Sequence, residues 1–241
     1  GLVMLASWRH PPLMAGLALA MVVAVATRSS QVHHGQAWRS YFGVYRVMTS
    51  EDGDYRILRH GTTLHGAQRI RDVEGNETDD VTPATYYHPE SPMARSIDAL
   101  RTVTTAAGQK ARVGVVGLGT GSLACHSKPG ESWRYFEIDP LMVEISLILG
   151  GFTFLGQCLP NPDIVLGDAR LTLAKEEPAA FDMLIVDAFS SDAVPVHLLT
   201  AEAMELYLSR ISDAGSVVLH ISNRYLDLAG VVGATVARVN G

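Results

Sequence analysis

A chain of 241 residues carrying a net charge of −6 has room for one large domain, or for a domain with a small appendage. Its acidic balance and scattered Lys and Arg, with no basic stripe interleaved with aromatics, argue against a nucleic-acid surface. The two cysteines, Cys125 and Cys158, stand in no C-x-x-C and the nine histidines form no H-E-x-x-H. Neither a disulfide framework nor a metal site is therefore expected, and a reducing compartment fits best.

The N-terminal segment 1–28 differs from everything after it. Leu13 to Ala26, LMAGLALAMVVAVA, carries no charge, with Arg9 and His10 before it and Arg28 after it. Extended to 11–27 it approaches the lower limit of a membrane-spanning helix, about 17 residues. The end of a membrane region is the favoured expectation, with a signal peptide and a buried helix as competing ones. The excess of Arg after the segment would then place the following domain in the cytoplasm; a wholly cytoplasmic chain is the alternative.

Residues 29–40 are polar and read as linker. Three short alternating runs follow within 41–68, YFGVYRVMT, DYRILRHG and TTLHGAQ, with a turn at Glu51-Asp52-Gly53-Asp54 between the first two. They predict a small antiparallel β unit, so that 29–90 comprises linker and β unit. Residues 71–85 read as an acidic surface loop. Met93, Ile97 and Leu100 have helical spacing and predict a helix over 91–105 leading into a domain at 91–241.

That domain alternates as βα units should. Strands are expected to end near Gly117, Asp139, Gly167 and Asp187, with a fifth over 216–221. Helices are expected at 120–126, 140–149, 169–176 and 200–211. The fold class is α/β: a Rossmann-like, doubly wound parallel sheet preceded by the β unit and the apolar N-terminal helix. An apolar pattern that opens at 231–241 without a closing antiparallel pair makes the sheet look C-terminally incomplete.

Chemistry-bearing residues fall at the strand ends, where ligands of such sheets lie. Gly117-Leu118-Gly119-Thr120-Gly121 makes a glycine turn, and Glu137 stands twenty positions after Gly117. This is about the separation at which a doubly wound fold sets an acid on the two ribose hydroxyls of a nucleotide. The spacing is not the dinucleotide G-x-G-x-x-G, and no Walker lysine follows. A nucleoside-bearing ligand of the S-adenosylmethionine type is the expectation. Asp168, in Gly167-Asp168-Ala169-Arg170, can accept from an adenine amine or simply cap a helix. Asp187 ends the fourth strand and Asp192 follows after Phe189-Ser190-Ser191. Two carboxylates there could hold a cationic amine and take its proton; the alternative is a Ser/Asp turn capping the next helix.

Together, GLGTGSLA, YFEIDP, GDAR and DAFSSDAVPVHLLT, with LHGAQ and TYYHPESP upstream, resemble the spermidine synthase-like aminopropyltransferases over roughly 38–230. The resemblance is closer to the bacterial branch in which such a domain follows a membrane-embedded, transporter-like half. It implies transfer of an aminopropyl group from decarboxylated S-adenosylmethionine to a polyamine, without a metal. The implied roles are Glu137 on the ribose, Asp168 on the adenine amine, and Gly117, Gly119, Thr120 and Gly121 in the turn beneath the ligand. Asp187 would be the general base beside Tyr87, and Asp192 would hold a distal ammonium. Gln68 and the Tyr87-His88 pair would face the ligand tail and the amine. Implied partners are a small amine, the membrane through 1–28, and a second copy of the chain as a homodimer.

Three departures bear on specificity. Thr120 stands where the family's glycine turn carries an acid for the cofactor's amino group. Asp187 and Asp192 are five apart, wider than the family's Asp-Ser-Ser-Asp. Tyr87-His88 is followed by Pro89 where the family has Glu. Each removes or displaces negative charge, so intact S-adenosylmethionine is a second candidate ligand. A methyltransferase or other S-adenosylmethionine-consuming enzyme, or a ligand-sensing domain of a membrane transporter, are the alternative functions.

Overall fold

The computed structural model describes residues 10–31, 35–188, 195–222 and 226–240. The chain divides into two compact units, 1–36 and 37–241. In the first, the apolar run forms helix α1, Pro11–Gln31, as its Ala, Leu and Met content favours. Among the described residues no helix is long and apolar enough to cross a membrane. The expected membrane attachment through 1–28 therefore has no described spanning helix behind it: the uncharged stretch Leu13–Ala26 is short of the ~20 residues a bilayer needs.

The antiparallel unit has four strands in sequential order: β1 Gly35–Ser40, β2 Gly43–Thr49, β3 Tyr55–His60 and β4 Thr63–Arg69. β1 corrects the expectation of linker up to residue 40. Its sequence GQAWRS lacks apolar alternation because it is an exposed edge strand, held by backbone pairing rather than by burial. β2 and β3 pair in register from Tyr45↔His60 to Thr49↔Arg56, which puts Tyr45, Val47, Leu58 and His60 on the buried face.

Helix α2, Pro92–Ala106, follows, its first turn capped by Ser91 Oγ accepting from Ala94 N. The second sheet comprises β5 Arg112–Val116, β6 Ser132–Glu137, β7 Asp163–Leu166, β8 Phe181–Val186 and β9 Ile211–Leu219. All its pairings are parallel, in the order β7-β6-β5-β8-β9. The chain winds outward from β5 in both directions, so the strand order reverses at β5, where such sheets open a crevice. Val113, Val115, Met183 and Ile185 face one apolar core with α2, while Val116, Leu184 and Val186 face another. Every residue of β8, FDMLIV, is buried, as a central parallel strand covered on both faces requires.

The helices of this unit are α3 Pro140–Glu144, continued as a π turn at Ile145–Leu149, α4 Phe154–Cys158, α5 Ala169–Leu173, α6 Ala201–Arg210 and α7 Leu228–Asn240. Residues 122–126 form a 3₁₀ turn in place of the predicted helix. Cys125 in that turn is disulfide-bonded to Cys158 at the end of α4, with Cα atoms 4.8 Å apart. The expectation of two unpaired thiols is thus corrected, and the compartment inferred from them loses its basis. Sequence spacing gave no warning, because 33 residues separate the pair and the fold alone folds α4 back onto the turn.

Candidate active site

A cavity of about 270 Å³ opens over the carboxyl ends of β5, β6, β7 and β8, roofed by the antiparallel unit. Its floor is Gly117, Leu118 and Gly119. Gly117 has φ +97, and a Cβ there would lie 2.1 Å from the Asp187 carbonyl oxygen, so only glycine lets the turn lie against the end of β8.

On the β6–β7 side stand Glu137, Ile138, Gly167 and Asp168. Glu137 is buried, and its two oxygens accept from Leu118 N (2.9 Å) and Asp139 N (2.9 Å). Burial pushes its pKa up, and those amides oppose the shift. Asp168 caps α5 through Oδ1, which accepts from Arg170 N (2.8 Å) and Leu171 N (3.4 Å), and its Oδ2 lies 3.4 Å from Nε2 of His197. The capping and ligand-binding interpretations of this acid are compatible, since they use different oxygens.

On the β8 side of β5 stand Asp187, Tyr86 and Tyr87. The Tyr87 hydroxyl donates to Asp187 Oδ2, and Tyr86 is hydrogen-bonded to the same carboxylate. Burial first, then the Asp187 charge, holds both phenols well above their ordinary pKa, so both remain donors. Thr85 at φ +62 leads into this turn, an unfavourable backbone state for a β-branched residue. Nε2–H of His126 donates to the Tyr87 carbonyl (2.7 Å), tying the turn to the segment after the glycines. The ring of His220, at the end of β9, packs 4.5 Å from that of Tyr86.

The remaining sequence-predicted residues are not brought into this lining. Thr120 is buried behind it, packed so closely beneath Gly66 of β4 that a Cβ there would sit 2.5 Å from Thr120 Oγ1. Gly121 abuts Leu155 of α4 in the same hidden layer. The Gln68 amide is spent on structure: Oε1 accepts from Thr153 N (3.0 Å), and Nε2 donates to Thr153 Oγ1 (2.6 Å). His88 is exposed outside the cavity, its Nδ1 accepting from Glu90 N (3.2 Å). Asp192 lies outside the described residues.

Residues that sequence patterns passed over complete the site. Phe42, Tyr45, His60 and His65 of the antiparallel unit line the cavity. His60 Nε2–H donates to the Phe42 carbonyl (3.0 Å), while His65 Nε2 is buried without a hydrogen-bond partner. Burial lowers the His65 pKa to about 4, and His60 adds to the effect, so the imidazole is neutral at pH 7. Asp139 fastens this roof: it accepts from Ser40 Oγ (2.5 Å) and Tyr45 OH (2.8 Å) while capping α3 at Leu141 N (3.0 Å). The repeated His-Gly pairs at 60–61 and 65–66 and the Asp-Pro helix start at 139–140 are sequence features that could have drawn attention to this roof.

The fold is a Rossmann-like α/β fold of the kind seen in spermidine synthases. No protein-family profile matches the chain. A probable spermidine synthase from Corynebacterium glutamicum superposes with a TM-score of 0.59 at 18% identity, over 86% of this chain and 71% of that one. The spermidine synthase of Thermotoga maritima gives 0.58 at 15% identity, over 85% and 62%. At such identities the likeness is one of fold. In sequence, the N-terminal histidine N-methyltransferase of Emericella nidulans is 26% identical over 192 residues, 74% of this chain. The aligned part is 32% of that enzyme, so the chain spans about a third of its length.

Proposed function

We propose that this protein transfers an alkyl group from an adenosyl sulfonium to an amine, and that the group is aminopropyl, taken from decarboxylated S-adenosylmethionine. The observation that carries the proposal is the single cavity with a ribose-type acid, Glu137, on one side of β5 and the Tyr86–Tyr87–Asp187 cluster on the other. The tight glycine turn and the buried Glu137 fit a nucleoside. The sulfonium supplies an electrophilic carbon. Asp187 takes the proton of the attacking amine as a C–N bond forms and the C–S bond breaks, its electron pair leaving on sulfur as a neutral thioether. Tyr86 and Tyr87, fixed as donors, orient the carboxylate, so that positioning and local negative charge supply most of the rate.

Incubation with decarboxylated S-adenosylmethionine and putrescine or another diamine should release methylthioadenosine; no release across several diamines would sink aminopropyl transfer. Methyl transfer from intact S-adenosylmethionine is the second reading. It is favoured by the N-methyltransferase similarity. Under it, adenosylhomocysteine should appear and calorimetry should find the intact cofactor bound at least as tightly as the decarboxylated one.

A further inference from the structure

Pro195 leads into a 3₁₀ turn, Val196–Leu198, that lies against α5 on the β6–β7 side of β5. Three contacts pin that turn. Arg170 Nη1 donates to the His197 carbonyl (3.3 Å), the Tyr207 hydroxyl donates to the Leu198 carbonyl (3.0 Å), and His197 Nε2 faces Asp168 Oδ2 (3.4 Å). The first two use backbone atoms and do not depend on the imidazole. His197 and Asp168 both line the cavity. Since Oδ1 of Asp168 is committed to the amides of α5, Oδ2 is the oxygen left for a ligand.

We propose that His197 is a positioning residue for nucleobase recognition: it orients Asp168 Oδ2 to accept from the exocyclic amine of an adenine. This rests on the nucleoside-binding reading above, and holds whichever alkyl group is transferred. A carboxylate with one oxygen capping a helix can still swing its other oxygen within the cavity. Nε2 of His197, 3.4 Å from Oδ2, restricts that freedom and turns the oxygen towards the base.

The test is a calorimetric comparison of 5′-methylthioadenosine with its purine-riboside counterpart lacking the 6-amino group. The full chain is used as wild type, His197→Ala and His197→Gln. Wild type should prefer the amine-bearing ligand by about tenfold or more, the effect of a hydrogen bond to a charged acceptor. His197→Ala should cut that ratio by about three- to tenfold, one ordinary net hydrogen bond, through loss of affinity for the amine-bearing ligand. His197→Gln, which keeps a donor, should restore much of the ratio. An unchanged ratio in His197→Ala, or an equal loss of both ligands, would overturn the proposal. So would a wild type that binds both ligands equally. A wild type that binds neither would overturn the nucleoside reading itself, which distinguishes the two failures.

Discussion

On the β6–β7 side of β5 the acids are held by backbone amides of their own neighbourhood. Glu137 accepts from Leu118 and Asp139, and Asp168 from the first turn of its own helix. On the β8 side Asp187 is held by a phenol a hundred positions away, from a turn outside the sheet. The first arrangement is finished once the strands pair and the glycine turn closes. The second requires α2, the 85–87 turn and the β8 terminus to have docked. On the proposed function, the nucleoside end of the cavity would be set by the sheet itself, and the amine end by what docks against it.

The most severe way to test that contrast is Asp187→Asn. Loss of a general base typically costs ~10²–10⁴ in rate, and cofactor affinity should stay within about twofold, because the lost group does not touch the nucleoside. Normal turnover in steady-state assays would mean the base has been misassigned. The second expected effect concerns the bridge behind the glycine turn. Replacing Cys125 and Cys158 by Ser should lower unfolding stability by ~2–4 kcal/mol, the usual worth of a disulfide, read as a lower urea midpoint. If the β6 side is as locally built as its hydrogen bonds indicate, nucleoside affinity in the refolded variant should change far less than stability.

Glu137→Gln should weaken nucleoside binding by ~1.5–3 kcal/mol, the scale of a hydrogen bond to a charged group, with little effect on saturated turnover. Affinity equal to wild type would remove Glu137 from the ribose.

The last effect lies in the roof and is expressed only in acid. His65 binds its proton near pH 6.5 when unfolded but only near 4 in the fold, so acid favours the unfolded chain. Its contribution is whole above about pH 6.5 and is lost as pH falls towards 4, by at most roughly 1.4 kcal/mol per unit. His60 and His126, also lowered by burial, act in the same direction. His65→Gln should flatten part of this decline in urea titrations at stepped pH; an unaltered pH dependence would show that the imidazole is not buried as described.

The sequence by itself determined the alternation of strands and helices, the glycine turn, and Glu137, Asp168 and Asp187 at strand ends. These are local consequences of hydrophobic period and backbone geometry: a buried parallel strand ends where its apolar run ends, and ligands of such sheets lie at those ends. Only the tertiary structure decided that Thr120 and Gly121 lie beneath the lining, that Gln68 braces Thr153, and that His60, His65 and Tyr45 roof the cavity. It alone paired Cys125 with Cys158 and set His197 against Asp168. Each of these depends on which side chains meet across distant segments, and burial fixes such meetings through packing that no spacing along the chain encodes.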